Sequence, residues 1–260
     1  MPYRTLIVTE RQGVAQVTLN RPEKRNALSH ELMRELLSAL EEVKSSGARI
    51  LLLTGAGNAF CSGMDLDELK AMGGRTPEEN LADSQLIARL LRTVYEFPRP
   101  TIAAVGGPAV AGGCGIATLC DFTIASTEAK FGYPEARIGL VPALVSVWLR
   151  QQVGDKAARK LLLTGRLISA QEALAMGLVT EVVETARLRE RADEIASELL
   201  KNSPGALAST KRALLGFFER ELDWQLEAAI AANAAMRSTP DFREGLSSFL
   251  EKRKPKWMQE

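Results

Sequence analysis

The sequence predicts an α/β fold that is followed by a helical C-terminal region. Short apolar stretches with strand character recur along the first two thirds of the chain, and amphipathic helix patterns alternate with them. No strand pattern occurs after residue 188, and nearly the whole of this C-terminal segment has helical periodicity. The recurring strand–strand–helix order is typical of a spiral α/β core rather than of a simple doubly wound sheet.

Turn residues and hydrophobic periodicity define the elements of the first half. Residues 3–9 and 14–19 flank the turn Arg11-Gln12-Gly13, so we predict a hairpin. Ser29 is a suitable N-cap for the helix that follows it. The further predicted elements are a helix at 31–43, a strand at 50–54, helices at 65–75 and 78–97, a strand at 101–105, a helix from about 113 and a strand at 122–126.

Caps and prolines divide the second half in the same way. Ser169 is a suitable N-cap and Gly177 a suitable stop for one short helix. The predicted elements are helices at 142–152, 155–163 and 170–176, a strand at 178–183, and helices at 187–200, 204–219, 223–237 and 241–253. We predict a core over 1–190 and a helical region over 191–260. The Ala-rich helices fit a subunit interface or packing onto the core equally well.

Composition places the chain among ordinary soluble globular proteins. Apolar residues make up 46% and charged residues 25% of it, and the formal net charge is +1. This balance gives no support to nucleic-acid or membrane binding. Three cysteines, Cys61, Cys114 and Cys120, lack metal-site spacing and suit a reducing compartment. Because no targeting pattern and no apolar run of membrane-spanning length is found, we expect a cytoplasmic protein.

His30 is the single histidine of the chain. A metal site built from several histidines is therefore excluded, and a Ser-His-Asp or Cys-His mechanism would have to use this residue. His30 lies beside the predicted N-cap Ser29, so we expect a solvated residue in the first turn of a helix.

Three segments carry candidate chemistry. Residues 59–66 follow a buried strand and a glycine turn, so their backbone can present N–H groups at a strand end, although a plain strand-to-helix turn has the same pattern. Within them, Asp65 is expected to cap the next helix. Residues 106–113 contain two glycine pairs before an apolar helix, whose first N–H groups can face an anion. Glu135 follows Pro134 beside an apolar run, so it is either a partly buried acid/base or a surface partner of Arg137.

Together these segments resemble the crotonase superfamily, also called the enoyl-CoA hydratase/isomerase family. The resemblance covers nearly the whole chain, and six motifs occur in order. They are LNRPEKRNALS at 19–29, LLLTGAGNAFCSGMDLDEL at 51–69, RPTIAAVGGPAVAGGCGIATLCDFTIA at 99–125, FGYPEARIGLVP at 131–142, TGRLISAQEALAMGLV at 164–179 and REGLSSFLEKRKPKW at 243–257.

The resemblance implies a crotonase-like spiral of ββα repeats with a C-terminal helical region that trimerises, often as a dimer of trimers. It implies an acyl-CoA thioester as substrate, with coenzyme A as part of that substrate and no separate cofactor or metal. By motif position, the N–H groups of Cys61 and Gly112 are expected to form an oxyanion hole for a thioester enolate. Glu135 matches the acid/base glutamate of the family.

The resemblance also implies residues that contact the substrate. Lys24 and Arg25 lie in a loop that the family places near CoA. Lys252 matches a lysine that reaches a CoA phosphate, although a solvated helix end is an equal alternative. Phe249 is expected near the adenine or in the subunit interface. The remaining expected contacts are Ala59, Ser62, Gly63, Met64, Asp65, Leu66, Gly113, Pro134 and Val141.

The chain departs from the family pattern at two places. Hydratases of the family usually have a second glutamate three residues after the oxyanion-hole glycine, where this chain has Gly115. After Pro142 many relatives have a glycine-rich stretch, and here larger side chains are expected to reshape the acyl pocket.

Hydration of a 2-enoyl-CoA to a 3-hydroxyacyl-CoA is the leading hypothesis. A double-bond isomerase that uses Glu135 alone is second, and a decarboxylase or hydrolase is third. A noncatalytic protein that binds CoA or RNA is the alternative of a different class; near-zero net charge opposes RNA binding and Glu135 opposes a dead enzyme.

Overall fold

The computed structural model describes residues 3–258. The strands are β1 (Leu6–Arg11), β2 (Val14–Leu19), β3 (Ile50–Gly55), β4 (Thr101–Val105), β5 (Ala109–Val110), β6 (Phe122–Ser126), β7 (Lys130–Gly132), β8 (Ile168–Ser169) and β9 (Glu181–Val183). The helices are α1 (His30–Ser45), α2 (Leu66–Met72), α3 (Pro77–Tyr95), α4 (Gly112–Thr118), α5 (Ala143–Thr164), α6 (Ala170–Ala175), α7 (Leu188–Leu200), α8 (Pro204–Gly216), α9 (Glu219–Met236) and α10 (Pro240–Leu250).

Two sheets form the core of the fold. The larger has the order β1-β2-β3-β4-β6-β9, in which the β1–β2 pair is antiparallel and the other pairs are parallel. The smaller has the order β5-β7-β8. The central strand β3 is buried on both faces, as its continuous apolar sequence predicts. The two sheets place the ends of β3, β5 and β7 near one another, and the candidate residues follow these ends.

The C-terminal helices pack onto the sheet and onto other helices. Apolar residues of α7, among them Ala192 and Ile195, cover one face of the larger sheet. Helix α9 packs against α3 and α5, and α10 packs against α2 and a short 3-10 helix (Pro134–Ile138). The predicted helical C-terminal region is thus confirmed, while its role in assembly stays a prediction. The division at residue 190 also stays a prediction; its outer ends, 1–2 and 259–260, lie outside the described residues, and α7 spans the boundary.

Most predicted elements are present, and the differences have local causes. The predicted break between helices 142–152 and 155–163 is seen inside α5, where Gly154 has φ 75° and ψ 165°. The strands β5, β7 and β8 were not predicted, because two or three residues are too few to show a periodicity. Within residues 3–258, no helix is both long enough and apolar enough to cross a membrane.

Candidate active site

The segment after β3 runs between two other parts of the backbone. Met64 pairs with Leu28 in one parallel bridge, and Cys61 pairs with Ala109 of β5 in another. These bridges hold both edges of residues 61–65. The segment therefore has a fixed backbone whose N–H groups point in defined directions.

The prediction that Cys61 supplies an oxyanion donor is contradicted by this pairing. The N–H of Cys61 donates to the carbonyl of Pro108 at 3.2 Å, as part of the bridge to β5. Its side chain is buried as well. A donor that is already bonded within the backbone is not free for a substrate oxygen.

Met64 has the free N–H of this segment. Its neighbours in the segment each have an acceptor. Ser62 donates to the Arg25 carbonyl at 3.1 Å, Gly63 to the Cys61 sulfur, and Asp65 to the Leu28 carbonyl at 2.9 Å. In a parallel bridge, the residue opposite Leu28 turns its own N–H to the other side. No acceptor for the Met64 N–H is found among residues 3–258. The motif identified the segment but placed the donor three residues too early.

Gly112 supplies a second free N–H at the start of α4. Ala111, the residue before it, donates to the Gly132 carbonyl at 2.8 Å and is the N-cap, but its side chain cannot cap the helix. Ala111 has φ 52° and ψ −126°, an unusual conformation for a residue with a Cβ. This conformation sets the direction of the Gly112 N–H. Gly113 and Cys114 follow in the same turn but are fully buried, so Gly112 is the accessible donor.

The two donor segments lie side by side. A Cβ at Gly63 would come within 3.1 Å of the Ala111 Cβ and within 3.2 Å of the Val110 carbonyl oxygen. Gly63 has φ +89°, which favours glycine. A Cβ at Gly113 would lie 2.6 Å from the Cys61 Cβ, so this glycine serves close packing between the segments. Met64 and Gly112 therefore belong to one site.

Glu135 lies beside this site on the 3-10 helix after β7. Its Oε2 atom is buried and has no hydrogen-bond partner. Burial raises the pKa of Glu135 from its usual value to about 7. Among residues 3–258 no cation pairs with it, so the alternative of a surface pair with Arg137 is wrong. Glu135 also acts electrostatically on Cys114 in the first turn of α4, which places the carboxyl group near the Gly112 donor.

The helix that carries Glu135 is held by its own loop and by α10. Leu140 donates its N–H to the Glu135 carbonyl at 3.0 Å. A Cβ at Gly245 of α10 would lie 2.4 Å from the backbone of Ile138, so α10 approaches this helix as closely as two backbones allow. The backbone of the helix that carries the carboxyl group is thus held from two directions.

Gly115 faces apolar side chains and not a water site. A Cβ at this position would lie 3.0 Å from the Leu91 Cδ2 of α3 and 3.0 Å from the Val145 Cγ1 of α5. A glutamate at this position would therefore require both side chains to shift. The larger residues predicted after Pro142 contribute directly to this, since Val145 is one of them.

The thiols of the site are not reactive groups. Burial raises the pKa of both Cys61 and Cys114 to about 12, so neither forms a thiolate near neutral pH. The same cause raises the pKa of the buried Tyr133, which contacts Cys114. Glu135 is therefore the titratable group of the site that changes charge near pH 7.

Asp65 caps α2, as predicted. Its side chain accepts the Asp67 N–H at 2.9 Å and forms an ion pair with Arg21 at 2.8 Å. Although burial opposes it, these partners hold the pKa of Asp65 below its usual value. Its carboxylate therefore faces Arg21 and the helix, and its predicted contact with a substrate stays a prediction.

The other predicted contact residues surround the donors to different degrees. Ala59 is buried, and its carbonyl accepts the Asn26 side chain at 2.8 Å. Ser62, Pro134 and Val141 are half-buried beside the site, and Leu66 is exposed at the start of α2.

The predicted CoA-binding cations lie at the surface. The Arg25 carbonyl accepts the Ser62 N–H, so the loop with Lys24 and Arg25 touches the donor segment. Both side chains are exposed, and Lys24 pairs with Asp67 at 3.4 Å. Phe249 and Lys252 are exposed at the C-terminal end of α10 and beyond it. The contribution of these residues to binding stays a prediction.

His30 is not a solvated residue, which corrects the sequence-based expectation. Its Nδ1 lies 3.0 Å from Glu68, and its Nε2 bonds to the buried Asp83. Arg75 bonds to Glu68 at 2.7 Å, and Arg237, the residue after α9, bonds to Asp83. This buried cluster joins α1, α2, α3 and α9. Its members lie far apart in the sequence, and no local pattern predicts it.

Comparisons with known proteins identify relatives that match nearly the whole chain. The profile of the Enoyl-CoA hydratase/isomerase family matches residues 9–260. A Thermus thermophilus relative named "Putative enoyl-CoA hydratase" is 45% identical over 97% of this chain and 100% of its own length. An Escherichia coli relative named 1,2-epoxyphenylacetyl-CoA isomerase is 33% identical over 95% of each chain. The crystal structure of an enoyl-CoA hydratase/isomerase from Xanthobacter autotrophicus Py2 has a TM-score of 0.88 at 33% identity, over 97% of this chain and 98% of that one.

Proposed function

The chain belongs to the enoyl-CoA hydratase/isomerase family, and we propose that it hydrates a 2-enoyl-CoA with Glu135 as its single acid/base. The observation that carries this proposal is the buried, unpaired carboxyl group of Glu135, with a pKa of about 7, beside two free backbone donors. The hydratase name of the Thermus thermophilus relative supports the choice of reaction.

The two donors account for stabilisation of the intermediate. We assign the thioester oxygen to the N–H groups of Met64 and Gly112. Negative charge grows on this oxygen as the enolate forms, and fixed donors bind the enolate more strongly than the neutral thioester. One donor of this kind contributes roughly 3 kcal/mol to lowering the barrier.

Glu135 can move the single proton that hydration requires. As a carboxylate it accepts a proton from water while the water oxygen bonds to C3 and the C2=C3 electrons move into the thioester. The resulting carboxylic acid then returns that proton to C2 as the enolate collapses. A pKa near working pH makes both transfers efficient, because acid and base forms are both accessible.

Isomerisation is the second candidate, and the packing at Gly115 favours it. Leu91 and Val145 fill the space of a second glutamate, so the site has no second carboxylate there to hold water. In this reaction Glu135 removes a proton from C2 of a 3-enoyl-CoA and returns it to C4, and the double bond moves to C2=C3. A single carboxylate suffices for this transfer.

Binding of CoA is assigned to the exposed basic residues. Lys24 and Arg25 adjoin the donor segment, and Lys252 follows α10; their charges suit the CoA phosphates. We also propose a cytoplasmic homotrimer or hexamer, in line with the exposed apolar side chains of the C-terminal helices.

The test compares two substrates under identical conditions. Crotonyl-CoA and a 3-enoyl-CoA are incubated separately with the protein, and the absorbance of the conjugated thioester is followed. Loss of absorbance with the first supports hydration, and gain with the second supports isomerisation. Glu135→Gln should lower the active reaction roughly 100- to 10,000-fold, as expected for loss of a general acid/base. Unchanged activity of Glu135→Gln contradicts the assignment of this residue.

A further inference from the structure

Asn233 of α9 connects the buried ion cluster to the loop behind Glu135. Its Oδ1 accepts from Arg237 Nη2 at 2.9 Å, and its Nδ2 donates to the Val141 carbonyl at 3.1 Å. Arg237 is in turn bonded to Asp83. Asn233 is itself buried, so these contacts do not compete with bulk solvent.

Arg237 determines which way the Asn233 amide points. A guanidinium group has donors only, so the Asn233 atom that faces Arg237 Nη2 must be an acceptor, which is Oδ1. The opposite orientation would place the Asn233 NH2 group against the Arg237 donor. Asp83 holds Arg237 in place, and the Asn233 Nδ2 is therefore directed at Val141.

Val141 lies in the same loop as the residue that bonds to Glu135. Leu140, its neighbour, donates to the Glu135 carbonyl at 3.0 Å. The Val141 carbonyl belongs to the Val141–Pro142 peptide and the Leu140 N–H to the Gly139–Leu140 peptide, so the two hydrogen bonds hold the loop at adjacent residues. The position of the Glu135 backbone is therefore tied to α9 through two hydrogen bonds.

We propose that Asn233 is a positioning residue for Glu135, and that the Asp83–Arg237 pair sets the orientation of its amide. Helix α9 thereby controls where the proton-carrying carboxyl group sits relative to the Met64 and Gly112 donors. This inference rests on the proposed role of Glu135 in catalysis. Its structural part, the restraint of the loop, does not depend on which reaction the protein performs.

Two variants test the proposal. Asn233→Leu keeps the number of side-chain heavy atoms and removes all three hydrogen bonds of the amide, which join it to Arg237, Val141 and Ser84. Asn233→Asp keeps the acceptor for Arg237 and removes the donor to Val141, so it is the variant more certain to fold. We expect kcat to fall roughly 10- to 100-fold in both, with KM changed less than threefold, because a small displacement of a catalytic group acts mainly on the chemical step.

Hydrogen exchange of the amides in residues 134–142 gives a second readout that needs no substrate. We expect faster exchange of this segment in both variants, with little change elsewhere. If neither substrate reacts with the wild type, the proposed function is wrong. The exchange measurement still tests whether Asn233 restrains the loop. Unchanged exchange in the folded variants would overturn the inference, as would faster exchange with unchanged kcat in an active enzyme.

Lys211→Met is the matched control. Lys211 of α8 is as buried as Asn233, and it forms an ion pair at 2.6 Å with Asp121, which is more exposed. We expect a lower melting temperature with unchanged kcat and unchanged exchange of 134–142. If Lys211→Met reproduces both effects of the Asn233 variants, their cause is general destabilisation and the proposal is wrong.

Discussion

Burial without a cation determines the proton affinity of Glu135. The carboxyl group loses its hydration and gains no compensating charge, so its neutral form is favoured and its pKa rises to about 7. The neighbouring cysteines and Tyr133 are shifted in the same direction and stay neutral. One group thus titrates near neutral pH, beside two backbone donors that carry no charge.

The pH dependence of activity and of stability should both report Glu135. Water activation and proton removal both need the carboxylate, so kcat/KM should rise with pH around 7 and level off above it. The folded protein binds this proton more tightly than the unfolded chain, so between about pH 4.5 and 7 its stability should fall as pH rises. Glu135→Gln removes the cost of the buried charge and should stabilise the protein at pH 8 by about 3 kcal/mol.

Chemical denaturation of both proteins at pH 8 and pH 5 checks this prediction. The difference between them should fall to about 1 kcal/mol at pH 5, because Glu135 is then protonated in the folded state but still largely ionised in the unfolded chain. A Glu135→Gln variant that is less stable than the wild type at pH 8 contradicts the burial of an unpaired charge.

Removal of the Gly112 donor should cost activity and leave the fold intact. Gly112 is the first residue of α4, where proline is compatible with the helix but has no N–H. Gly112→Pro should therefore lower kcat roughly 100- to 1,000-fold, the typical loss for one oxyanion donor. Steady-state kinetics measures this fall in kcat, and a circular dichroism spectrum like that of the wild type shows that the variant is folded.

Gly112→Ala is the control for the added carbon atoms. Its Cβ meets the Leu28 Cδ1 at 2.9 Å as proline would, but its N–H remains. We expect most of the activity to be kept. Equal loss in both variants would mean that crowding at Leu28, and not the missing donor, is the cause.

At the scale of elements, packing between α3, α4 and α5 limits what the site can contain. Leu91 of α3 and Val145 of α5 approach Gly115 of α4 so closely that even a methyl group would need both to shift. The contacts of α3 and α5 with α4 also help to hold the first turn of α4, which contains the Gly112 donor. The apolar packing around the proposed oxyanion hole therefore also opposes a second carboxylate.

Gly115→Glu should destabilise the protein rather than create a hydratase of the two-glutamate type. Overpacking together with a buried charge should cost at least about 3 kcal/mol of unfolding free energy. Gly115→Ala, with the same Cβ contacts and no carboxylate, should cost less. When Gly115→Glu is combined with Leu91→Ala, the loss of unfolding free energy should be smaller than the sum of the losses in the two single variants.

Denaturant titration of the wild type, the three single variants (Gly115→Glu, Gly115→Ala and Leu91→Ala) and the double variant measures these costs. A Gly115→Glu variant as stable as the wild type would show that the space beside Leu91 and Val145 is open, and would restore the two-glutamate mechanism as a candidate.

At the scale of the whole molecule, the C-terminal helices serve the site and leave apolar surface exposed. Helices α9 and α10 hold the loop and the helix around Glu135. Large apolar side chains remain at the surface of α8, of α9 and of the turn between them; Leu214, Phe217 and Trp224 are more than 60% exposed. Exposed apolar surface of this kind is typical of an interface between subunits.

We expect light scattering to give three or six times the chain mass of 28.3 kDa. Phe217→Asp should shift the protein towards the monomer, because a charge is costly to bury in an interface. Ile7→Asp, which alters an exposed apolar residue of β1, is the control and should leave the mass unchanged. A monomeric wild type contradicts the predicted assembly.

Sequence patterns were most informative where local chemistry decides the outcome. The caps Ser29, Asp65 and Ser169 each accept the expected backbone N–H. The motifs located Gly112 and Glu135 because these lie at fixed offsets from glycines and Pro134. The donor in 61–65 was misplaced, because a hydrogen bond to Pro108 removes the Cys61 N–H from use. The cluster around His30 was missed, because it joins four helices that are distant in the chain.

The sequence by itself determined the family, the order of the elements and the choice of Glu135 as the proposed acid/base residue. These depend on residue type and on spacing along the chain. Only the tertiary structure decided that Met64 and not Cys61 has a free N–H, that Glu135 is unpaired, and that Leu91 and Val145 occupy the place of a second glutamate. Each of these depends on which atoms of distant segments approach one another, and that proximity sets which hydrogen bonds, charges and volumes remain for a substrate.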